Sequence, residues 1–230
     1  MRPQLVTTLL GFGLATSPTV TALNITQEGP FALHVQGQAK NSSINGYIYF
    51  ADLGPLTLTN PLQYASMPSL PVGNTSYEWY FNYTGLTQTH EHQVGYLLTD
   101  PMYDNNNTYA PGTGFGRAMS LFYTPDTNVA FSVTGTGSVT FLAFDNDNKA
   151  FISLDVTDSS FVPDVKPTSG GERINLYNWA VCWQYHLGIY TRALSWITYG
   201  PFHNPTCERV DLLRVALQGH LEREAVEAWW

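Results

Sequence analysis

Residues 77–84 read YEWYFNYT, and this stretch sets the expected fold class. Aromatic residues occupy every second position, which is the spacing of side chains on one face of a β-strand. Asn82 begins an N-glycosylation sequon, and a glycan there would require its side chain to face solvent. The alternation therefore predicts a strand whose even-numbered side chains face solvent and whose odd-numbered aromatic side chains face the core.

Short runs of β-branched and aromatic residues recur along the rest of the chain, separated by Gly, Pro and Asn clusters. This pattern is typical of an all-β protein with antiparallel strands. We predict a single antiparallel β-sandwich of jelly-roll type, with a β-trefoil as the alternative. The predicted strands are 31–36, 47–53, 77–83, 93–98, 118–123, 130–133, 139–144, 150–156, 176–184, 193–198 and 210–217.

The run Asp145-Asn-Asp-Asn148 separates two predicted strands and indicates a β-hairpin turn. Asn and Asp tolerate left-handed backbone angles and bond their own backbone, which suits a tight turn. Asp145 and Asp147 could also begin a calcium loop, but the Gly and the distal Glu of such a loop are missing at the required positions. We therefore expect a turn.

Both ends of the chain differ from the predicted β domain. Arg2, the short apolar run 5–15 and the small residues 20–22 have the pattern of a secretory signal peptide, residues 1–22. No apolar run reaches the roughly 18 residues that a membrane helix needs. Residues 212–227 have helical spacing, weakened by Gly219. We expect a secreted β domain over 23–217 and a tail or short helix over 218–230.

Composition and sequons agree with secretion. The 230 residues carry 10 Lys and Arg against 18 Asp and Glu, a net charge of −8, which disfavours nucleic acid and anionic membranes as partners. Five sequons predict N-glycosylation at Asn24, Asn41, Asn74, Asn82 and Asn106. Cys182 and Cys207 are the only cysteines. In an oxidising compartment such a pair usually forms a disulfide, with free thiols or a metal site as alternatives.

Residues that could carry chemistry are sparse. His90 and His92 would share one face of an extended segment and are weak metal candidates, because no third ligand is visible. We expect no cofactor. The chain has no G-x-S-x-G nucleophile motif. A glycoside hydrolase needs two convergent carboxylates, and the candidates are Glu78, Asp100, Asp104, Asp155, Asp158 and Glu172.

Aromatic residues exceed what one core requires. Exposed Tyr and Trp rings stack on sugar rings and suit interfaces. Candidate glycan-stacking residues are Tyr80, Trp183 and Trp196.

The C-terminal block carries a family resemblance. Residues 176–184 (LYNWAVCWQ), 193–197 (ALSWI) and 203–208 (HNPTCE) resemble a family of fungal secreted proteins of unknown function. The segments 29–35 (GPFALHV), 45–49 (NGYIY) and 161–163 (FVP) fit the same family. A more distant likeness is to fungal cell-wall proteins linked to phialide development. The resemblance implies a fungal origin, secretion, a compact β domain and a Cys182–Cys207 bridge, and it carries over no catalytic residues.

These observations favour a non-enzymatic cell-wall or extracellular interaction protein, with a host-facing effector as one form of that role. The expected partners are cell-wall polysaccharide or an extracellular protein. Two alternatives stay open: a small extracellular hydrolase or lyase acting on polysaccharide, and a carbohydrate-binding module. A cleft with two convergent acids would favour the enzyme, whereas a row of exposed aromatic rings would favour the binding module.

Overall fold

The computed structural model describes residues 25–50, 59–71, 73–84, 91–99, 117–135, 139–154, 162–165, 173–186 and 188–217. All pairings among the strands of these segments are antiparallel, which confirms the all-β prediction. A single 3-10 turn, Thr75–Tyr77, interrupts them. The strands are β1 (Ile25–Gly37), β2 (Asn45–Phe50), β3 (Thr59–Ala65), β4 (Trp79–Thr84), β5 (Val94–Leu98), β6 (Ala118–Phe122), β7 (Val129–Gly135), β8 (Leu142–Phe144), β9 (Ala150–Leu154), β10 (Ile174–Leu176), β11 (Trp179–His186), β12 (Ile189–Ile197) and β13 (Glu208–Ala216).

The first strand makes the sheet fold over on itself. Residues 31–37 of β1 pair with β13 along one edge. Along the other edge, residues 25–31 pair with β4 and residues 33–36 pair with β2. The sheet therefore branches at Phe31 into two parts that enclose one core, in a sandwich-like arrangement. One branch closes into a ring through β1, β2, β3, β12, β11 and β13.

Two tryptophans anchor the interior between these parts. The Trp79 and Trp179 side chains are fully buried. The Trp179 indole N–H donates to the Ala150 carbonyl at 2.8 Å, and the Trp79 indole N–H donates to the Ile48 carbonyl at 3.4 Å. Burying an indole is favourable when its N–H finds a partner, and both indoles have one. Each bond also joins strands that are not neighbours in the sheet.

β4 confirms half of the orientation prediction and corrects the other half. Trp79 and Phe81 face the core, as the alternation predicts. Asn82, however, is 0% exposed, so the prediction that it faces solvent is wrong. The same face of β4 carries Tyr80, which packs against Leu98 and Ala118 in a second, smaller cluster. β4 is paired on both edges and covered on both faces, so its alternation separates two buried surfaces.

The turn between β8 and β9 is confirmed. The Asp145 carboxylate accepts the backbone N–H groups of Asp147 at 2.9 Å and Lys149 at 2.8 Å. Asn148 has a φ of 61°, which is the left-handed conformation that Asn tolerates. Asp145, which would be the first carboxylate of the calcium loop considered above, therefore stabilises the turn through its hydrogen bonds.

The predicted strand over residues 210–217 is confirmed: residues 212–216, which also have helical spacing, belong to β13. Val210 and Leu212 are both fully buried, at the period-two spacing of a strand, and residues 210–216 pair with β1. Tertiary pairing thus overrides the helical spacing. Residues 218–230 and the predicted signal peptide lie outside the described residues. Among the residues that the structure describes, no helix is long and apolar enough to cross a membrane.

Candidate functional site

The β11–β12 hairpin presents one face that begins in the core and ends in solvent. Side chains directly opposite each other on paired strands lie on the same face. The pairs along this face are Trp179–Trp196, Val181–Leu194, Trp183–Arg192 and Tyr185–Tyr190. The first two pairs are buried, whereas Trp183, Tyr185 and Tyr190 are 51%, 60% and 74% exposed. We call these three residues the aromatic face.

The aromatic face is exposed because the neighbouring strands end before it. Pairing of β13 with β11 covers Ala180 and Val181, and pairing of β3 with β12 covers Ala193. Beyond these positions the hairpin continues as a two-stranded ribbon. The rings of Tyr185 and Tyr190 lie 4.8 Å apart at an interplanar angle of 46°. Neighbouring large apolar rings that face solvent mark an interaction site more often than a single exposed ring does.

Side chains hold the backbone at Trp183. The Trp183 N–H donates to the Thr206 hydroxyl oxygen at 3.0 Å, and the Asn204 side-chain amide donates to the Trp183 carbonyl at 2.9 Å. The Asn204 side-chain oxygen accepts the N–H of Thr206 at 3.0 Å and its hydroxyl at 2.7 Å. We call Asn204 and Thr206 the clamp. Because the clamp replaces a missing strand partner, Trp183 is held in one place although its ring is exposed.

A disulfide supports the same segment from the other face of β11. Cys182 and Cys207 are bridged, with their Cα atoms 4.1 Å apart, which confirms the predicted pairing. The bridge is packed with Val129, Ala180 and Ile197. It ties β11 to the residue that precedes β13 and so fixes the 203–207 segment that carries the clamp. A rigid aromatic group loses little conformational entropy on binding.

A cation flanks the aromatic face. Arg192 lies opposite Trp183, and its guanidinium carbon is 4.9 Å from the centre of the Tyr64 ring. This cation–π contact places the guanidinium over a buried ring. The Tyr64 hydroxyl accepts the backbone N–H of Asn45 at 3.1 Å, which holds the ring. Arg192 thus lies opposite Trp183 in the strand register, with its guanidinium over the Tyr64 ring of β3.

A separate surface cleft of about 290 Å³ lies where β5, β9 and β10 meet. The His92 ring packs edge-on against Phe151, with ring centres 5.4 Å apart. The Ser153 hydroxyl donates to the Asn175 side-chain oxygen at 2.6 Å. The described lining therefore offers one carboxylate, one imidazole and one guanidinium. The lining residues are Glu91, His92, Val94, Phe151, Ser153, Arg173 and Asn175.

The structure separates the residues that the sequence proposed for chemistry. His92 lies in this cleft, whereas His90 falls outside the described residues. Within the described segments, no group of three or more His, Cys, Asp or Glu side chains could hold a metal ion. Of the candidate carboxylates, Glu78 lies in the described part, where its backbone N–H donates to the Thr75 carbonyl after the 3-10 turn. The other five candidates fall outside it.

The three candidate stacking residues have different environments. Trp183 is exposed, as a stacking residue must be. Trp196 is 5% exposed and packs edge-on against Trp179, so it is a core residue and the prediction is wrong there. Tyr80 is partly buried and packs against the cluster of Leu98 and Ala118. The sequence prediction did not select Tyr185 or Tyr190, although the spacing of Trp183 and Tyr185 places them on one face.

Comparisons with protein-family models, curated proteins and solved structures gave no match.

Proposed function

We propose that this chain is a secreted, non-enzymatic fungal protein that binds cell-wall polysaccharide through the aromatic face. The observation that carries the proposal is the exposure of Trp183, Tyr185 and Tyr190 side by side on one braced hairpin. The proposal joins the expected wall-associated role to the mode of contact of a carbohydrate-binding module.

Polysaccharide suits this surface for chemical reasons. A pyranose ring has an apolar face of C–H groups and a rim of hydroxyls. Indole and phenol rings match the apolar face, while their N–H and O–H groups can bond the rim. Arg192, which lies opposite Trp183 in the strand register, is a source of donors for ring hydroxyls. Residues two apart on a strand are about 6.6 Å apart, so Trp183 and Tyr185 can contact successive parts of one extended chain.

The net charge narrows the class of polysaccharide. With a net charge of −8, the chain repels polyanions at long range. Neutral or cationic polymers such as β-glucan, chitin and partly deacetylated chitin are therefore favoured over acidic ones. The disulfide supports an oxidising, extracellular location, because such bonds persist there. The leader pattern, the sequons and the family resemblance agree with that location.

The enzyme alternative would use the cleft on the other part of the sheet. A polysaccharide hydrolase needs two carboxylates about 5–9 Å apart. The described cleft lining contributes Glu91 alone as a carboxylate, together with His92 and Arg173. A lyase or hydrolase at this cleft would release sugar, whereas the aromatic face would bind polysaccharide without changing it.

The test incubates the purified secreted protein with insoluble chitin, β-glucan, cellulose and fungal wall, and assays released sugar in the same tubes. The proposal expects depletion of protein from solution without sugar release. Sugar release would overturn it in favour of the enzyme at the cleft. If the protein is not depleted and no sugar is released, a protein-binding effector becomes the better explanation.

A further inference from the structure

The three sequon asparagines in the described segments have different environments. Asn41 lies in the turn between β1 and β2, where the Ser42 N–H donates to the Ala39 carbonyl at 2.9 Å. Asn74 precedes the 3-10 turn, and its side-chain oxygen accepts the Ser76 N–H at 3.0 Å. Both asparagine side chains are exposed. A glycan at either position would extend into solvent without disturbing a strand.

Asn82 has the opposite environment. It lies within β4 between Gln27 of β1 and Tyr96 of β5, and its side chain is 0% exposed. The face that it occupies also holds the small cluster around Tyr80 and Leu98. A bulky oligosaccharide has no path from this position to solvent unless β4 leaves one of its two partners.

We propose that folded molecules of this protein carry N-glycans on Asn41 and Asn74 and an unmodified Asn82. In the transfer, the asparagine amide nitrogen forms a bond to C1 of a sugar carried on a polyprenyl diphosphate. The bond from C1 to the diphosphate oxygen breaks, the polyprenyl diphosphate leaves, and the amide nitrogen loses one proton. At Asn82 this product is incompatible with the pairing of β4, so modification there and the native fold exclude each other.

The inference rests on the proposed passage through the secretory pathway. The test therefore replaces residues 1–22 with a leader of known function and expresses the full remaining chain in yeast. Polysaccharide binding is not measured, so failure of that proposal does not affect this test. The secreted, folded protein is deglycosylated enzymatically in ¹⁸O-water, and peptides are read by mass spectrometry. Each site is read separately, which makes the result independent of Asn24 and Asn106.

We expect the isotope label on Asn41 and Asn74 and none on Asn82. Substitution of the sequon hydroxyl residue gives a second readout. Ser43→Ala and Ser76→Ala should each remove one glycan mass from the secreted protein, whereas Thr84→Val should remove none. Label on Asn82 in the folded protein, or absence of label from either Asn41 or Asn74, would overturn the proposal.

A destabilised variant tests whether folding is the cause. Trp79→Ala empties the core on the opposite face of β4 from Asn82 and should leave much of the chain unfolded inside the cell. We expect Asn82 to be labelled in that intracellular pool. An intracellular pool of unfolded Trp79→Ala protein that lacks label at Asn82 would show that the sequon is skipped for another reason, and would refute the role of folding.

Discussion

Tyr185 and Tyr190 lie opposite each other across the β11–β12 hairpin with their ring centres 4.8 Å apart, and both rings face solvent. They continue the same face that buries Trp179 and Trp196 further along the hairpin. The pairing of β13 with β11 ends four residues before Tyr185, and the pairing of β3 with β12 lies three residues from Tyr190. The chain thus extends an apolar face beyond its own core, and the account assigns that extension to a ligand.

The clamp should matter for binding more than for folding. Thr206→Val removes the acceptor of the Trp183 N–H, a loss of about 1 kcal/mol in a typical hydrogen bond. If Trp183 is then less well placed, affinity for the polysaccharide that is retained should fall about threefold to tenfold. Binding isotherms measure this.

Thr206→Ser is the matched control for the clamp, because it keeps the hydroxyl. It should bind as the wild type does. Equal loss of affinity in Thr206→Ser and Thr206→Val would contradict a positioning role for the hydroxyl.

Substitution by Phe should reduce the free energy of unfolding strongly at one tryptophan of β11 and hardly at all at the other. Trp179→Phe leaves the Ala150 carbonyl without its indole donor and leaves a void, so we expect a loss of about 2–4 kcal/mol in the free energy of unfolding. Trp183→Phe alters a half-exposed ring and should change the free energy of unfolding by less than about 0.5 kcal/mol. Urea denaturation of both variants decides; similar losses would mean that Trp183 belongs to the core.

The disulfide should contribute to global stability. Cys182 and Cys207 are separated by 25 residues, and the loop-entropy relation assigns about 3.5 kcal/mol to a loop of that length. The double variant Cys182→Ser and Cys207→Ser should lower the unfolding midpoint accordingly. The unreduced, denatured wild type should show no reactive thiol. Two reactive thiols, or an unchanged midpoint, would contradict the bridge.

Stability should fall at alkaline pH because buried phenols must ionise. The Tyr49 hydroxyl donates to the Gln63 side-chain oxygen at 2.7 Å, and burial raises the pKa of Tyr49. Burial is also the larger cause that raises the pKa of the neighbouring Tyr77, and the charge of an ionised Tyr49 raises it further. The unfolded chain releases these protons near pH 10, earlier than the folded chain does. The stabilisation is therefore complete below about pH 10 and is lost as pH rises through the folded pKa values.

Tyr49→Phe tests this pH dependence. At pH 7 the variant should be less stable than the wild type, because it lacks the bond to Gln63. Above about pH 10 the difference should shrink or reverse, since Phe has no proton to lose. Urea denaturation from pH 7 to 11 measures the difference in the free energy of unfolding between the two proteins at both ends of this range. A difference that stays constant across this range would contradict the assignment.

Local pattern predicted most of the strands, because period-two alternation is a property of neighbouring residues, but it did not predict β3 (Thr59–Ala65). It predicted Trp79 and Phe81 inside. It failed at Asn82 because side chains of β5 and β6 pack in a cluster on the second face of β4. At residues 212–216, where the sequence has both strand and helical spacing, pairing with β1, which is distant in sequence, decides the conformation.

The aromatic face shows the same limit of prediction from the sequence. Trp183 and Trp196 look alike in sequence, yet one is exposed and the other is buried. What separates them is the point at which β3 and β13 stop covering the hairpin. No composition or spacing rule contains that information, so the choice of Trp196 as a stacking residue could not have been corrected from the sequence.

Binding isotherms of the Trp183→Ala variant on insoluble β-glucan and chitin measure what the aromatic face contributes to polysaccharide binding. Tyr199→Ala is the matched control, because Tyr199 is 64% exposed but lies outside the aromatic face. The account predicts that the wild type and Tyr199→Ala bind alike. Trp183→Ala should lose about tenfold or more, as expected when a central aromatic anchor is removed. Equal binding by all three proteins, or no binding by the wild type to either polymer, would contradict it.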